Sequence, residues 1–383
     1  MRICLYTETA LPMVGGQELV IDALARQFLA RGHEVMVLAL RQRHGQTGGD
    51  TSLPYPVVRH RRFFSTRHFL DSYQGHLTAA HRDYRFDVIH AHNVYPAGYV
   101  AVRWSEPRGV PLVITSHGCD IAPESCLMTK PQVPDRVTYV LSHASALVSI
   151  NDSVEHNYRR HCPDAHHIVS IPNGVDLTAF NSRAARPARI PQRLRPGEYF
   201  LFLGRLIHRK GGDQLLLAFR QIADDIPVQL VIAGTGEEEM ALKVQAAQLG
   251  LAERVHFTGV IQGLEKTYLL QNCLGTVIPS RISEASSLVV LESYAAGVPV
   301  IGTAIPGLET TIMQNETGLF VAPDSPAELA GAMASLARDR ELAGRLGRGG
   351  RRTAENLDWG RVADRHLELY ASLVRGKVRA QVA

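Results

Sequence analysis

The stretch "AARPARIPQRLRPGEY", residues 184–199, decides how the rest of the chain is divided. It holds three prolines and four arginines with no apolar periodicity, the composition of a break between packed segments. On its amino side short apolar runs recur at "RICLYTE" (2–8), "HEVMVLAL" (33–40), "FDVIHAH" (86–92), "PLVITSHG" (111–118), "ALVSIND" (146–152) and "HIVSIPNG" (167–174). On its carboxyl side they restart at "FLFLGRL" (200–206), "VQLVIAGTG" (228–236), "RVHFTGVI" (254–261), "GTVIPS" (275–280) and "PVIGTA" (299–304). Helical patterns fill the intervals, and that alternation marks parallel sheets covered on both faces. The expectation is an α/β protein of two doubly wound domains facing a cleft, residues 1–178 and 179–358, joined through the proline-rich stretch. The segment "WGRVADRHLELYASLVRG" has helical spacing, and residues 359–383 are expected to pack back on the first domain.

Composition narrows the function classes. Of 383 residues 45% are hydrophobic and 20% charged, enough apolar surface for a sizeable core. The net charge of +4 is too small for a dedicated nucleic-acid surface. No run of eighteen apolar residues offers a membrane span, and "MRICLYTETA" reads as a first buried strand rather than a signal peptide. The five cysteines (Cys4, Cys119, Cys126, Cys162, Cys273) are odd in number and lack a C-x-x-C spacing. Neither a disulfide framework nor a structural zinc is expected, which places the chain in a reducing cytoplasm.

Open α/β sheets bind ligands beyond the carboxyl ends of their strands, so the residues that follow each strand form the site inventory. Gly15 and Gly16, after the first strand, permit backbone N–H groups to approach a phosphate or sugar, or simply make a tight turn. No G-x-G-x-x-G stands there, which speaks against a dinucleotide-binding unit. In "SHGCD", His117 and Asp120 follow a strand, where an imidazole either meets a sugar hydroxyl or caps the next turn. In "GRLIHRKGG", Gly204 precedes Arg205 and Lys210, two cations beside a helix start that could surround a diphosphate. Gly234 and Gly236 of "AGTG" leave room for a flat nucleobase or for a plain turn.

The stretch "SEASSLVVLESYAAGVPVIG", residues 283–302, sets Glu284 and Glu292 around an apolar run. Ser286 or Ser287 is expected to cap the helix that begins there. Carboxylates suit vicinal diols, so Glu284 is a candidate for sugar hydroxyls and Glu292 for ribose hydroxyls, against the alternative of two solvated acids. Glu292 lies in an otherwise buried run, and a buried acid needs a partner.

Together, "GG" after the first strand, "SHG", "PNGVD", "GRL" with "KGG", "AGTG", and E-x(7)-E before "AAGVPVIGT" resemble the retaining GT-B glycosyltransferases of family 4. The resemblance covers essentially the whole chain and implies two Rossmann-like domains. It implies a nucleotide-sugar donor, a UDP-sugar or a GDP-sugar, on the second domain, and a glycan or polyprenyl-linked acceptor on the first. Carried onto this sequence, it makes His117, Arg205, Lys210 and Glu284 the catalytic group. Arg205 and Lys210 would bind the diphosphate, Glu284 the donor sugar and Glu292 the ribose. Gly16, Gly204, Gly234, Gly236, Ser286, Ser287 and Leu288 would complete the donor site, with Gly15 and Asp120 toward the acceptor. The family usually needs no metal or cofactor. Two other functions share the fold, a sugar-nucleotide 2-epimerase and a non-catalytic nucleotide-sugar sensor.

One segment stands outside that pattern. Residues 59–87 interleave Arg59, Arg61, Arg62, Arg67, Arg82 and Arg85 with Phe63, Phe64, Phe69 and Tyr73. Arg61 and Arg62 are the candidate contacts either to an anionic membrane holding a lipid-linked acceptor or, in the plainer case, to solvent above buried aromatics.

Overall fold

The protein was analysed as a computed structural model that describes residues 1–40, 52–60, 69–118, 120–165, 167–284 and 286–382. Two compact units emerge, one of Met1–Asn173 with Trp359–Ala383 and one of Gly174–Asp358. In chain order the first unit holds β1 (Arg2–Thr7), α1 (Gly16–Ala30), β2 (Glu34–Leu40), β3 (Val57–His60), α2 (Phe69–Tyr84), β4 (Val88–His92), α3 (Tyr99–Ser105), β5 (Leu112–Thr115), α4 (Val133–His143), β6 (Ala146–Ser149), α5 (Asp152–His161) and β7 (Ile168–Ser170). The second unit holds β8 (Tyr199–Leu203), α6 (Gly212–Ala223), β9 (Gln229–Ala233), α7 (Glu239–Gln248), β10 (Val255–Gly259), α8 (Gly263–Asn272), β11 (Gly275–Ile278), α9 (Leu288–Ala295), β12 (Val300–Thr303), β13 (Gly318–Val321), α10 (Pro326–Arg338) and α11 (Arg340–Ala354). The last helix, α12 (Trp359–Val382), belongs to the first unit again.

Both sheets are parallel throughout, with orders β3-β2-β1-β4-β5-β6-β7 and β10-β9-β8-β11-β12-β13. Helices cover both faces of such sheets, so the central strands are buried on both sides and read as unbroken apolar runs. The two sheets share one topology: three strands built outward from the first, then a return to its other side. That return opens a crevice at the carboxyl ends of β1 and β4 in one unit and of β8 and β11 in the other. Both sheets and their covering helices match the doubly wound expectation.

The role of the proline-rich stretch needs correcting. Residues 184–199 do not join the units; they lie inside the second, and the chain crosses between units at Asn173/Gly174 and Asp358/Trp359. Ile190 and Leu194 are buried with Tyr199, Leu201, Val231 and Leu269. Arg186 replaces regular structure by donating to the carbonyls of Pro191 and Leu194, the latter at 3.1 Å. The edge strands β3 and β13 were not among the expected runs.

The helix α12 lies on α1. Phe28 of α1 meets Tyr370 edge-on with centroids 5.7 Å apart, and Arg31 pairs with Asp364. The Tyr370 hydroxyl reaches Nδ1 of His90 at 2.6 Å, carrying α12 into the polar interior of the first unit. Among the described residues no helix is long and apolar enough to cross a membrane.

Candidate active site

In the second unit the crevice between β8 and β11 is spanned by an ion pair. Lys210 ends the 3-10 turn His208–Lys210 that follows β8, and Glu284 lies in the loop that follows β11. Nζ of Lys210 donates to Oε1 of Glu284, and the Ser280 hydroxyl donates to the same oxygen at 2.6 Å. Glu284 is 8% exposed. Burial acts to raise its carboxyl, but the charge and hydrogen bond of Lys210, with Ser280 and Arg209, hold it below the usual range. The turn can come this close because Gly211 has φ +70° and a β-carbon there would lie 2.0 Å from the Pro279 carbonyl.

Arg205 lines the same depression as Lys210, together with Leu206, Ile207 and His208. Its guanidinium is exposed and has no hydrogen-bond or ion-pair partner among the described residues. One engaged and one unengaged cation therefore stand beside the start of α6, a setting suited to an anion.

Glu292, the fifth residue of α9, pairs with Lys266 of α8 at 2.5 Å. Glu292 is half-buried rather than buried, and its partner is a lysine from the middle of a helix, outside the reach of a strand-end inventory. Ser287 occupies the cap position of α9, but its hydroxyl makes no capping bond, which corrects that expectation; Ser286 and Leu288 flank it, both half-buried. Gly204 and Gly234 press together: a β-carbon on Gly234 would lie 1.8 Å from the Gly204 carbonyl, and one on Gly236 2.1 Å from that of Leu206. The close packing of two strand-end loops is enough to require both Gly234 and Gly236.

In the first unit Thr7, His92 and Thr115 stand in register at the ends of β1, β4 and β5. His117 stacks on His92 with centroids 5.3 Å apart, and its Nε2 lies 3.0 Å from Nδ1 of His92. One ring must donate and the other accept, so the two cannot both be protonated while this contact holds. Burial lowers His117 to about 4 and holds His92 well below its ordinary value, with the neighbouring imidazoles adding to the shift in His92. Asp120 is buried and accepts from the Ser116 hydroxyl at 2.6 Å and from the Val94 N–H at 2.5 Å, while Ser116 accepts from the Gly118 N–H. Its carboxylate fixes the loop that presents His117.

Gly15 caps α1, and Glu18 folds back over it so that a β-carbon there would lie 2.5 Å from Oε2 of Glu18. A β-carbon on Gly16 would meet nothing within 4 Å. Gln17 donates to Thr7 at 2.8 Å and accepts from Asn93 at 3.2 Å, placing two amides at the β1/β4 crevice. Sequence reasoning missed Gln17, Asn93 and His92. All three adjoin strand ends and could have been found by the strand-end rule.

The calls on Arg61, Arg62 and Cys119 lie outside the described residues. Nearby, Tyr73 of α2 is buried against His60 with centroids 5.0 Å apart, and Arg82 pairs with Asp83.

The architecture is shared with the crystal structure of Anabaena HepE in complex with UDP-glucose, with a TM-score of 0.81 at 19% identity over 97% of this chain and 100% of that one. Two doubly wound units of this kind make the GT-B architecture. Residues 14–179 match glycosyltransferase family 4 and residues 189–353 match glycosyl transferases group 1. The D-inositol 3-phosphate glycosyltransferase of Frankia alni is 31% identical over 311 residues, 76% of this chain and 75% of its own. The glycogen synthase of Mycobacterium tuberculosis is 29% identical over 309 residues, 78% of this chain and 72% of its own. The chain belongs to glycosyltransferase family 4.

Proposed function

We propose that the chain is a retaining glycosyltransferase that moves a sugar from a nucleotide-sugar donor to a glycan or lipid-linked acceptor. The observation that carries this proposal is the Lys210–Glu284 pair across the β8/β11 crevice, with the unpartnered Arg205 guanidinium beside it. The UDP-glucose complex of the Anabaena neighbour supports a uridine nucleotide, with a GDP-sugar the alternative donor.

In the proposed reaction the bond from the anomeric carbon to the diphosphate oxygen breaks while a bond to the acceptor hydroxyl oxygen forms on the same face. The acceptor proton passes to the departing phosphate. Negative charge gathers on the diphosphate, and Arg205 and Lys210 meet it without calling on a metal ion. An ammonium has three N–H donors, so Lys210 can hold Glu284 and a phosphate oxygen together. Glu284 takes sugar hydroxyls, Glu292 takes the ribose diol with Lys266 fixing its other side, and His117 serves the transferring sugar.

Calorimetry with EDTA present tests these roles. Glu292→Gln is expected to weaken UDP or GDP itself by about tenfold, the scale of one charged hydrogen bond. Glu284→Gln should spare the free nucleotide and weaken UDP-glucose or GDP-mannose. Equal losses for nucleotide and sugar nucleotide in both variants would contradict the division of roles.

A further inference from the structure

Three residues before Glu284, the side chain of Arg281 is 12% exposed and every arm of its guanidinium is engaged. Nη1 donates to the His208 carbonyl and to Oδ1 of Asp213, each at 2.7 Å, and Nη2 donates to Oδ2 of Asp213 at 2.6 Å. Nε donates to Oδ1 of Asp324 at 2.7 Å, and the Arg281 backbone N–H donates to the Arg209 carbonyl at 2.9 Å. The acceptors belong to three separate segments: the turn that ends in Lys210, the first turn of α6, and the loop between β13 and α10. Asp324 holds φ +55°, a left-handed conformation unfavourable for most non-glycine residues, and its ion pair with Arg281 helps to hold it there.

We propose that Arg281 is a positioning residue of the donor site: it ties the Lys210 turn to the Glu284 loop, so that the ammonium stands in a fixed place for the diphosphate. This rests on the donor assignment given above. Arginine suits the task because its planar fork can bind a carboxylate with two parallel bonds and still reach a carbonyl, whereas lysine offers one point charge. Arg281 itself meets only protein groups and acts through Lys210.

The test compares UDP with UMP, and GDP with GMP, by calorimetry in the wild type, Arg281→Lys, Lys210→Gln and the double variant. Lys210→Gln still offers a hydrogen bond to Glu284. Arg281→Lys is expected to weaken the diphosphate about tenfold, one charge-assisted bond's worth, while leaving the monophosphate within about twofold. In the Lys210→Gln background the same change should add less than about twofold. An equal loss for mono- and diphosphate, or a full further loss on Lys210→Gln, would overturn the positioning role and leave Arg281 a structural brace. A wild type that binds neither diphosphate, or a Lys210→Gln variant that binds as the wild type does, would instead remove the donor assignment. Should Arg281→Lys fail to fold, Asp324→Asn loosens one arm only; a loss confined to the diphosphate would support the proposal and unchanged binding would overturn it.

Discussion

The two units begin from the same strand order yet furnish their crevices with opposite chemistry. In the first, most of the groups at the edge are uncharged, His92 against His117, His90 between Thr115 and Tyr370, and Gln17 between Thr7 and Asn93, and its acids Asp120 and Glu18 are held by hydroxyl or backbone donors rather than by cations. In the second, the corresponding edge carries Lys210 with Glu284, Lys266 with Glu292, and Arg281 with Asp213 and Asp324. Neutral donors and acceptors suit a polyhydroxylated ligand, while ion pairs beside a spare cation suit an anion. Topology fixes where a ligand goes; the side chains at strand ends fix which ligand it is.

The largest effect that would break this contrast concerns the spare cation. Arg205→Ala is expected to lower transfer by about 10²–10³ with the thermal midpoint unchanged, because the guanidinium has no partner to lose among the described residues. Sugar transfer near the wild-type rate would take the second unit's crevice out of the diphosphate role.

The loop glycines sharpen the contrast at the next scale. Gly211→Ala forces a β-carbon to within 2.0 Å of the Pro279 carbonyl at φ +70°, and should destabilise the fold by about 2–4 kcal/mol. Gly16→Ala meets open space and should change stability by less than about 0.5 kcal/mol, while impairing transfer if ligand backbone contact is its purpose. Thermal denaturation of both variants decides. Equal losses would mean that the packing around the two glycines is not what separates them.

The remaining test is an acid transition. Burial lowers His117 to about 4 and His366 to about 3, and holds His90 and His92 well below their ordinary 6.5, all four in the first unit. The second unit has one comparable imidazole, His256, lowered by burial and by Arg193 to about 4. A group whose folded value is depressed contributes stability above its unfolded value and loses it as pH falls toward the folded one. The first unit should therefore weaken from pH 6.5 down to about 4, whereas the Glu284 pair fails only below 4.5. Both tryptophans, Trp104 and Trp359, are assigned to the first unit, Trp104 deep inside it and Trp359 at its border with Asp358, so their emission reports chiefly that unit. Their emission should shift red before far-ultraviolet circular dichroism falls. Coincident curves would show that the two units unfold together.

Most strands were legible because a parallel strand buried on both faces leaves an apolar run such as "RICLYT" or "LVIT". The edge strands β3 and β13 were not: four residues with one covered face, such as "VVRH", carry too little signal. The stretch 184–199 was misread because its order comes from Arg186 binding carbonyls, which no periodicity encodes. At the site, Lys210 and Glu284 could be found as strand-end residues, but their direct pairing could not, since 74 positions separate them. Lys266 gave no sign, because only the fold brings the middle of α8 to Glu292. Arg281 stood within reach of the strand-end rule and was passed over beside the more familiar acid pair.

The hydroxyl of Tyr370 on His90 has a bearing on the order of synthesis. As the chain leaves the ribosome, residues 1–173 emerge first, yet Phe28 and His90 lack their partners on α12 until everything up to Asp358 has followed. The second unit is continuous in sequence and can close on itself during that interval. Of the two units the one begun earlier is therefore the last to be finished, and it waits with an apolar helix face and the imidazole of His90 open to water.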